Sequence, residues 1–260
     1  MLEATLIGGP IPLFLQAGGG GAPQGYVYGA VPSNNVASPN DAIDISAGVV
    51  RDVGNTDTMT LDPGATIDFT VNGAGGLDVG ALAADSWYSL WVIKSSTGAV
   101  SVLGSLSELA PTLPAPFTLQ RRVGWARTNG AGAFFPFLYV GQGYFRVHSY
   151  AYRDFNDTQI GAFASTGAYI AVDCSAFIPP GQRAILLRKG GSNAATRFES
   201  KPGDGAQAVN AGPYRTVTAS AGMGVFPFPE ITSAARGLQV RTSNLAAFFD
   251  VSALGFFDVL

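Results

Sequence analysis

Between Tyr26 and Ser149 the chain is cut into short apolar segments, each ended by Gly, Asn, Asp, Ser or Pro. YVYGAV, AIDISAGVVRDV, TMTL, TIDFTV, WYSLWVI, AVSVLG, TLQRRVGWART, FFPFLYV and GYFRVHSY alternate with SNN, SPND, GNTD, DPG, NGAGG, AADS, SSTG and NGAG. Gly supplies positive φ, Pro fixes its own φ, and Asn and Asp bond their own backbone, so these separators are turns with a mechanism. No long run of helical periodicity competes with them. The chain must therefore fold as β-strands.

Within the segments the alternation has a period of two. In TIDFTV, Ile67, Phe69 and Val71 fall on one face and Asp68, Thr70 and Asn72 on the other, which predicts a half-buried strand. From Trp87 to Ile93 both faces are bulky, so that strand is expected at the centre of a sheet or covered on both sides. SELAPTLPAPF carries Pro111, Pro114 and Pro116, through which neither a helix nor an inner strand continues. It reads as an extended connection entering a strand near Phe117.

The pattern resumes after RDFNDTQ with QIGAFAS, AYIAVDCSAF, RAILLRKG, TRFES, YRTVTAS, GVFPF, LQVRT and AAFFDVSALGFFDVL, enough strands for a second sandwich or jelly-roll. Residues 1 to 17 differ: Leu2, Leu6, Ile7, Ile11, Leu13, Phe14 and Leu15 make them apolar, Pro10 and Pro12 break them, and Gly18 to Gly21 follow as a hinge. The expected organisation is an attachment arm with its hinge (1–25), a β-sandwich domain (26–152) and a C-terminal β-sandwich domain (153–260). The fold class is all-β, with two antiparallel sandwich or jelly-roll-like domains.

Charged residues make up 13% of the chain, against about 25% in ordinary soluble domains. Few charges beside many apolar residues point to a surface covered by neighbouring subunits, hence a homo-oligomer. Residues 1–150 hold 6 basic and 10 acidic side chains and residues 151–260 hold 9 and 8, so neither part supplies the positive field that nucleic acid requires. The N-terminus has no basic start and no unbroken apolar core, so neither a signal peptide nor a membrane span is expected. Cys174, the single cysteine, excludes an internal disulfide and reads as a buried strand thiol.

Candidate chemistry is sparse. His148 is the sole histidine, and in FRVHSYAY it reads as a strand or interface imidazole, because a hydrolytic triad would have to recruit this one residue. GAGGLDVG at Gly73–Gly80 lacks the Lys-Ser/Thr ending of a phosphate loop and reads as turns and close packing. The pairs Asp41 and Asp44, Asp52 and Asp57, and Asp154 and Asp157 match no dedicated calcium loop and read as turn caps or solvated groups. A facing carboxylate pair for glycoside hydrolysis cannot be read from Glu3, Glu108, Glu199, Glu230 and the aspartates. Of Arg121 and Arg122, adjacent on a strand, one is expected to be buried against a carboxylate and the other to face outward. Tyr139, Tyr144, Tyr150, Tyr152 and Tyr169 are candidates for stacking on sugars, with structural or interface packing the more frequent use of tyrosine in such a setting.

Three elements carry a family resemblance: VVRDVGNTD at Val49–Asp57; Leu77, Asp78, Gly80, Leu82, Ala83, Trp87 and Tyr88; and Pro111, Leu113, Pro114, Thr118, Arg121, Arg122, Val123, Gly124, Arg127 and Thr128. Together they resemble a segment of tailed-bacteriophage tail fibre, spike and other virion surface proteins, over roughly residues 28–150. The sequence departs from that pattern at Ala115 and Pro116, where a glycine is usual, and at Val123, where isoleucine is usual. The resemblance implies a virion component, oligomeric and mounted on a tail or capsid, and identifies no enzyme.

The resulting expectation is a non-enzymatic structural protein forming a fibre, spike or head decoration, assembled in the host cytoplasm and carried on the virion. Its partners would be its own copies (a trimer favoured over a pentamer), other capsid or tail proteins, and a host surface polysaccharide as candidate ligand. No cofactor, metal, nucleic acid or membrane insertion is expected. The alternatives are a polysaccharide-degrading spike and a purely architectural tail or capsid component.

Overall fold

The computed structural model describes residues 22–141, 145–149, 159–164, 169–181, 184–191, 196–202, 215–219, 229–232, 235–242 and 248–260. The arm residues Leu2 to Leu15, the glycine run, and Tyr144, Tyr150 and Tyr152 lie outside them.

The fold is all-β. The first strands are β1 (Val27–Gly29), β2 (Pro32–Asn34), β3 (Ala42–Ile45), β4 (Gly48–Arg51), β5 (Thr58–Leu61), β6 (Ala65–Asn72), β7 (Gly76–Leu77), β8 (Trp87–Ser95), β9 (Val100–Ser105), β10 (Phe117–Arg127), β11 (Leu138–Val140) and β12 (Phe145–Ser149). Then follow β13 (Gln159–Ala164), β14 (Ile170–Asp173), β15 (Ala184–Gly191), β16 (Thr196–Pro202), β17 (Arg215–Ala219), β18 (Pro229–Ile231), β19 (Gly237–Thr242) and β20 (Phe248–Val259). They form sheets in the orders β1-β4-β5, β10-β8-β9-β7-β6-β3-β2, β11-β12-β20-β15-β18 with β13 also on β20, and β14-β19-β16-β17.

AIDISAGVVRDV, which reads as one strand, is two. The chain changes sheet between β3 and β4, beside the same change between β1 and β2, and the two crossings are tied by Ala30 N–H to Ala47 O at 3.0 Å and Ser46 N–H to Val31 O at 3.0 Å. A Cβ on Gly48 would collide with the backbone of Tyr28, Gly29 and Ala30, so the corner closes only around a residue without one.

The sheets are not all antiparallel, contrary to the sequence reading. β7 pairs parallel with both β6 and β9. The cause is GAGG: Gly73 and Gly75 take φ of +103° and +85°, and Gly76 packs against the backbone of Val71. The chain thereby folds back beside β6 instead of forming a hairpin. These glycines serve turns and close packing, as their sequence context suggests.

β8 lies between β10 and β9 and is buried along nearly its whole length, as its two bulky faces require. In β6, Ile67 and Phe69 enter the core but Val71 is half exposed. The pairing of β6 with β3 ends at Asp68, and beyond it the strand is paired with β7 at Asn72. The long sheet also curls, bringing β2 against β10. At the contact a Cβ on Gly124 would lie 2.7 Å from Pro32 Cγ and 3.0 Å from the Tyr139 hydroxyl.

One core joins the first two sheets through Val27, Val50, Met59, Leu61, Ile43, Ile67, Phe69, Tyr88, Leu90 and Val102, and it takes in Phe137, Tyr139 and Leu260 from the later chain. A second gathers Val172, Cys174, Ile178, Ile185, Leu238, Val240, Ala253 and Phe256 around Trp87 and Trp125. Each core thus uses residues from both parts of the sequence.

Candidate functional site

The two parts of the sequence meet where β10, β11 and β20 converge. Arg122 Nη1 donates to Asp258 Oδ1 at 2.7 Å and its Nη2 to Val259 O at 2.8 Å, while its guanidinium lies 5.0 Å from the Trp125 ring centre. The Asp258 side chain is fully buried. Tyr139 donates to Asp258 Oδ2 at 3.2 Å and accepts from Trp125 N–H at 2.7 Å. His148 packs between Phe137 and Phe256, nearly parallel to both at 5.1 and 4.6 Å, with Trp87 and Tyr139 edge-on. It is 2% exposed. These groups form a largely buried junction.

The opposite face of the same sheet is different. Directly opposed residues share a face, and the register opposes Val140 to Val147, Phe145 to Val259 and Val147 to Phe257. Tyr139, His148, Phe256 and Asp258 belong to the inward set. Leu138, Val140 and Val259 point outward and are 40%, 53% and 42% exposed. These exposed apolar residues lie on β11 and β20, the two strands that flank β12, and exposed apolar residues gathered on one face of a sheet are a mark of an interaction surface.

A second surface feature is an open groove of 540 Å³ lined by Gln24, Gly25, Tyr26, Val27, Val53, Arg121 and Leu260. Arg121 is 8% exposed and donates to Gly25 O at 3.3 Å. Both arginines are therefore covered, and the expectation that one faces outward is corrected. The chain just after the glycine run lies over the side of β10 that would otherwise meet solvent. Burial, with a smaller contribution from Tyr28, pushes the Tyr26 hydroxyl above its ordinary pKa.

The groove's outer lip is the VVRDVGNTD turn. Asp52 Oδ1 accepts from Thr56 N–H and Asp57 N–H, both at 2.6 Å, and Oδ2 from the Thr56 hydroxyl at 3.0 Å. Burial pushes the Asp52 carboxyl up, but these bonds together outweigh it and hold the group below the ordinary carboxylate range. Arg51 grips the turn through Asn55 and Thr58. Lys94 donates to Asp57, whose carboxyl is lowered chiefly by that bond, and Val53 N–H donates to Gln120 O at 3.0 Å. The turn is thus pinned to β8 and β10.

The other residues carrying the resemblance are likewise occupied in building. Asp78 Oδ2 accepts from the Ser105 hydroxyl at 2.7 Å and Thr112 N–H at 2.9 Å, fixing the proline-rich connection to β9. The Tyr88 hydroxyl accepts from Ala83 N–H at 2.6 Å, and the Thr128 hydroxyl donates to Ala83 O at 2.6 Å. Asp44 accepts from Asn35 and Thr66, and Asp68 from Thr70. Asp154 and Asp157 lie outside the described residues.

Tyr139 does not fit a sugar-contact role: it is 6% exposed and its hydroxyl is engaged. Tyr169 is half-buried. Cys174 is fully buried, and burial, then Asp173, pushes its thiol up to about 12. Among the described residues, no three His, Cys, Asp or Glu side chains gather where they could hold a metal ion. Among the same residues, no helix is long and apolar enough to cross a membrane.

No family model, curated protein or solved structure matches this chain.

Sequence reasoning missed the exposed face of β11, whereas the apolar residues of β20, Val259 among them, already read as closing a sheet or packing into a subunit interface. A signal existed in the alternation of LYV and FFDVL, where apolar residues occupy both faces of the strands. The groove left no signal, since its walls come from four separate stretches of the chain.

Proposed function

We propose that this chain is a non-catalytic structural protein of a phage or phage-like particle, assembled from its own copies. The observation that carries the reading is the outward apolar row of Leu138, Val140 and Val259, on a chain with only 13% charged residues. Such a surface is stabilised by burial against a like partner, at about 25 cal/mol per Å² before ordering costs. In this reading the two cores belong to two sandwiches, the first formed by β1-β4-β5 with the long curled sheet and the second by the β20 and β19 sheets. The largely buried junction between them keeps the assembly stiff.

The placement of the resemblance-bearing side chains in turns and strand contacts supports an architectural role. The burial of Tyr139 favours the version of that role without a sugar contact at this position. Immunogold labelling of particles purified from the source culture tests the assignment. Label on particles is expected; label confined to the particle-free fraction would contradict it.

A further inference from the structure

We propose that an apolar knob formed by Val79, Leu106 and Leu109 is the counterpart of the outward row Leu138, Val140 and Val259, so that copies of this chain join head to tail. The inference rests on the reading that copies associate through that row, and it names what the row meets. Val79, Leu106 and Leu109 are 54%, 52% and 79% exposed. They are drawn together by Asp78, whose N–H donates to Gly104 O at 2.8 Å and whose Oδ2 accepts from the Ser105 hydroxyl and Thr112 N–H, fixing the chain after β7 against the turn after β9. Residues 79–82 and 105–112 contain one charged side chain, Glu108. It is half-buried and turned toward Gly181, where a Cβ would lie 3.1 Å from its Oε1. The exposed part of the knob is therefore uncharged, like the row.

The knob is stiff. Ser107 N–H donates to the Ser105 hydroxyl oxygen at 2.9 Å and Ala110 N–H to that of Ser107 at 3.1 Å, so little freedom is lost when the turn docks. The row is a sheet face, held flat by the pairing of β11 and β20 with β12. A projecting turn packs closely on such a face, whereas two projecting turns would touch only at their tips. The knob follows β7 and β9, and the row lies on β11 and β20 in a different sheet, so one chain carries two separate apolar patches. A two-fold contact through the row alone would leave the knob in water; a head-to-tail contact covers both patches with a single kind of interface. Three half-exposed side chains also fall short of the roughly 800 Å² per partner that stable interfaces bury, and a contact repeated on two sides of every copy doubles the area each one buries. When its rotation closes, such a contact gives a ring of defined size.

Sedimentation of the full chain and two charge variants tests it. Val140→Lys spoils the row, and Leu109→Lys, at a position 79% exposed, spoils the knob. Each variant alone should sediment at 26.8 kDa under conditions where the parent assembles. Mixed in equal amounts, the intact knob of one meets the intact row of the other, so with rising concentration the mixture should reach twice the single-chain mass and go no further. A Leu109→Lys chain with the parent's mass would overturn the inference and leave association through the row standing. A mixture that keeps the single-chain mass at every concentration would also overturn it, because both patches would then be needed but not against each other. A parent chain of single-chain mass would overturn the reading on which the inference rests, and the inference with it. Unchanged tryptophan emission confirms that each variant is folded.

Discussion

Removing the Asp258 carboxylate should be among the most damaging single changes outside the apolar cores. Asp258→Ala takes the anion from Arg122, whose side chain is only 13% exposed, and also deprives the Tyr139 hydroxyl of an acceptor. Breaking a buried pair by removing one partner costs about 3–5 kcal/mol, because the surviving charge stays desolvated. Arg122 keeps its bond to Val259 O and its place over Trp125, which puts the expected loss near the lower end, about 3 kcal/mol. Tyr139→Phe removes only the hydroxyl and should cost about 1–3 kcal/mol. The double variant Arg122→Met with Asp258→Leu leaves no orphaned charge, so its loss should fall short of the sum of the singles by about 2 kcal/mol. Urea unfolding followed by tryptophan emission is the assay, since Trp87 and Trp125 both sit at this junction. A loss below about 1 kcal/mol for Asp258→Ala, or strict additivity in the double variant, would refute the view that this pair clamps β10 to β20.

Other expectations follow from single sites. Asp52 and Asp57 have carboxyls held below the ordinary range, so their contribution is complete above the unfolded value of about 3.9 and is lost as pH falls through the folded values. Urea midpoints should therefore fall progressively as pH drops below about 4, and Asp52→Asn should be less stable than the parent at pH 6 by about 1–3 kcal/mol, with the gap closing in acid. Gly124→Ala forces Pro32 and Tyr139 apart and should cost about 1–3 kcal/mol in the same assay. The Cys174 thiol, raised to about 12 and buried, should resist alkylation at neutral pH and react fully once urea unfolds the chain.

The sequence made the all-β class legible because alternation and turn chemistry are local. The central position of β8 and the extended proline connection followed from the same signals. Two features were hidden for one reason: they depend on contacts between distant stretches. The crossing at Ser46 and Ala47 needs Gly29 and Gly48 side by side, and the parallel placement of β7 needs Val102 and Gly104 beside the glycine turn. The arginine pair shows the same limit. Alternation sent Arg121 and Arg122 to opposite faces, but only the fold reveals that Gly25 covers one and Asp258 the other. For Tyr139 the sequence left sugar contact and packing both open, and the fold makes it a buried bracket whose hydroxyl accepts from Trp125 N–H.

The sedimentation mass of the intact chain is the most direct measurement of whether it is built to associate through its outward apolar row. At micromolar concentration the chain should sediment as a defined multiple of 26.8 kDa, and Val140→Lys, which places a charge in the middle of that row, should shift it to the single-chain mass without changing tryptophan emission. A parent chain that sediments at 26.8 kDa, or a Val140→Lys variant with the parent's mass, would contradict the account.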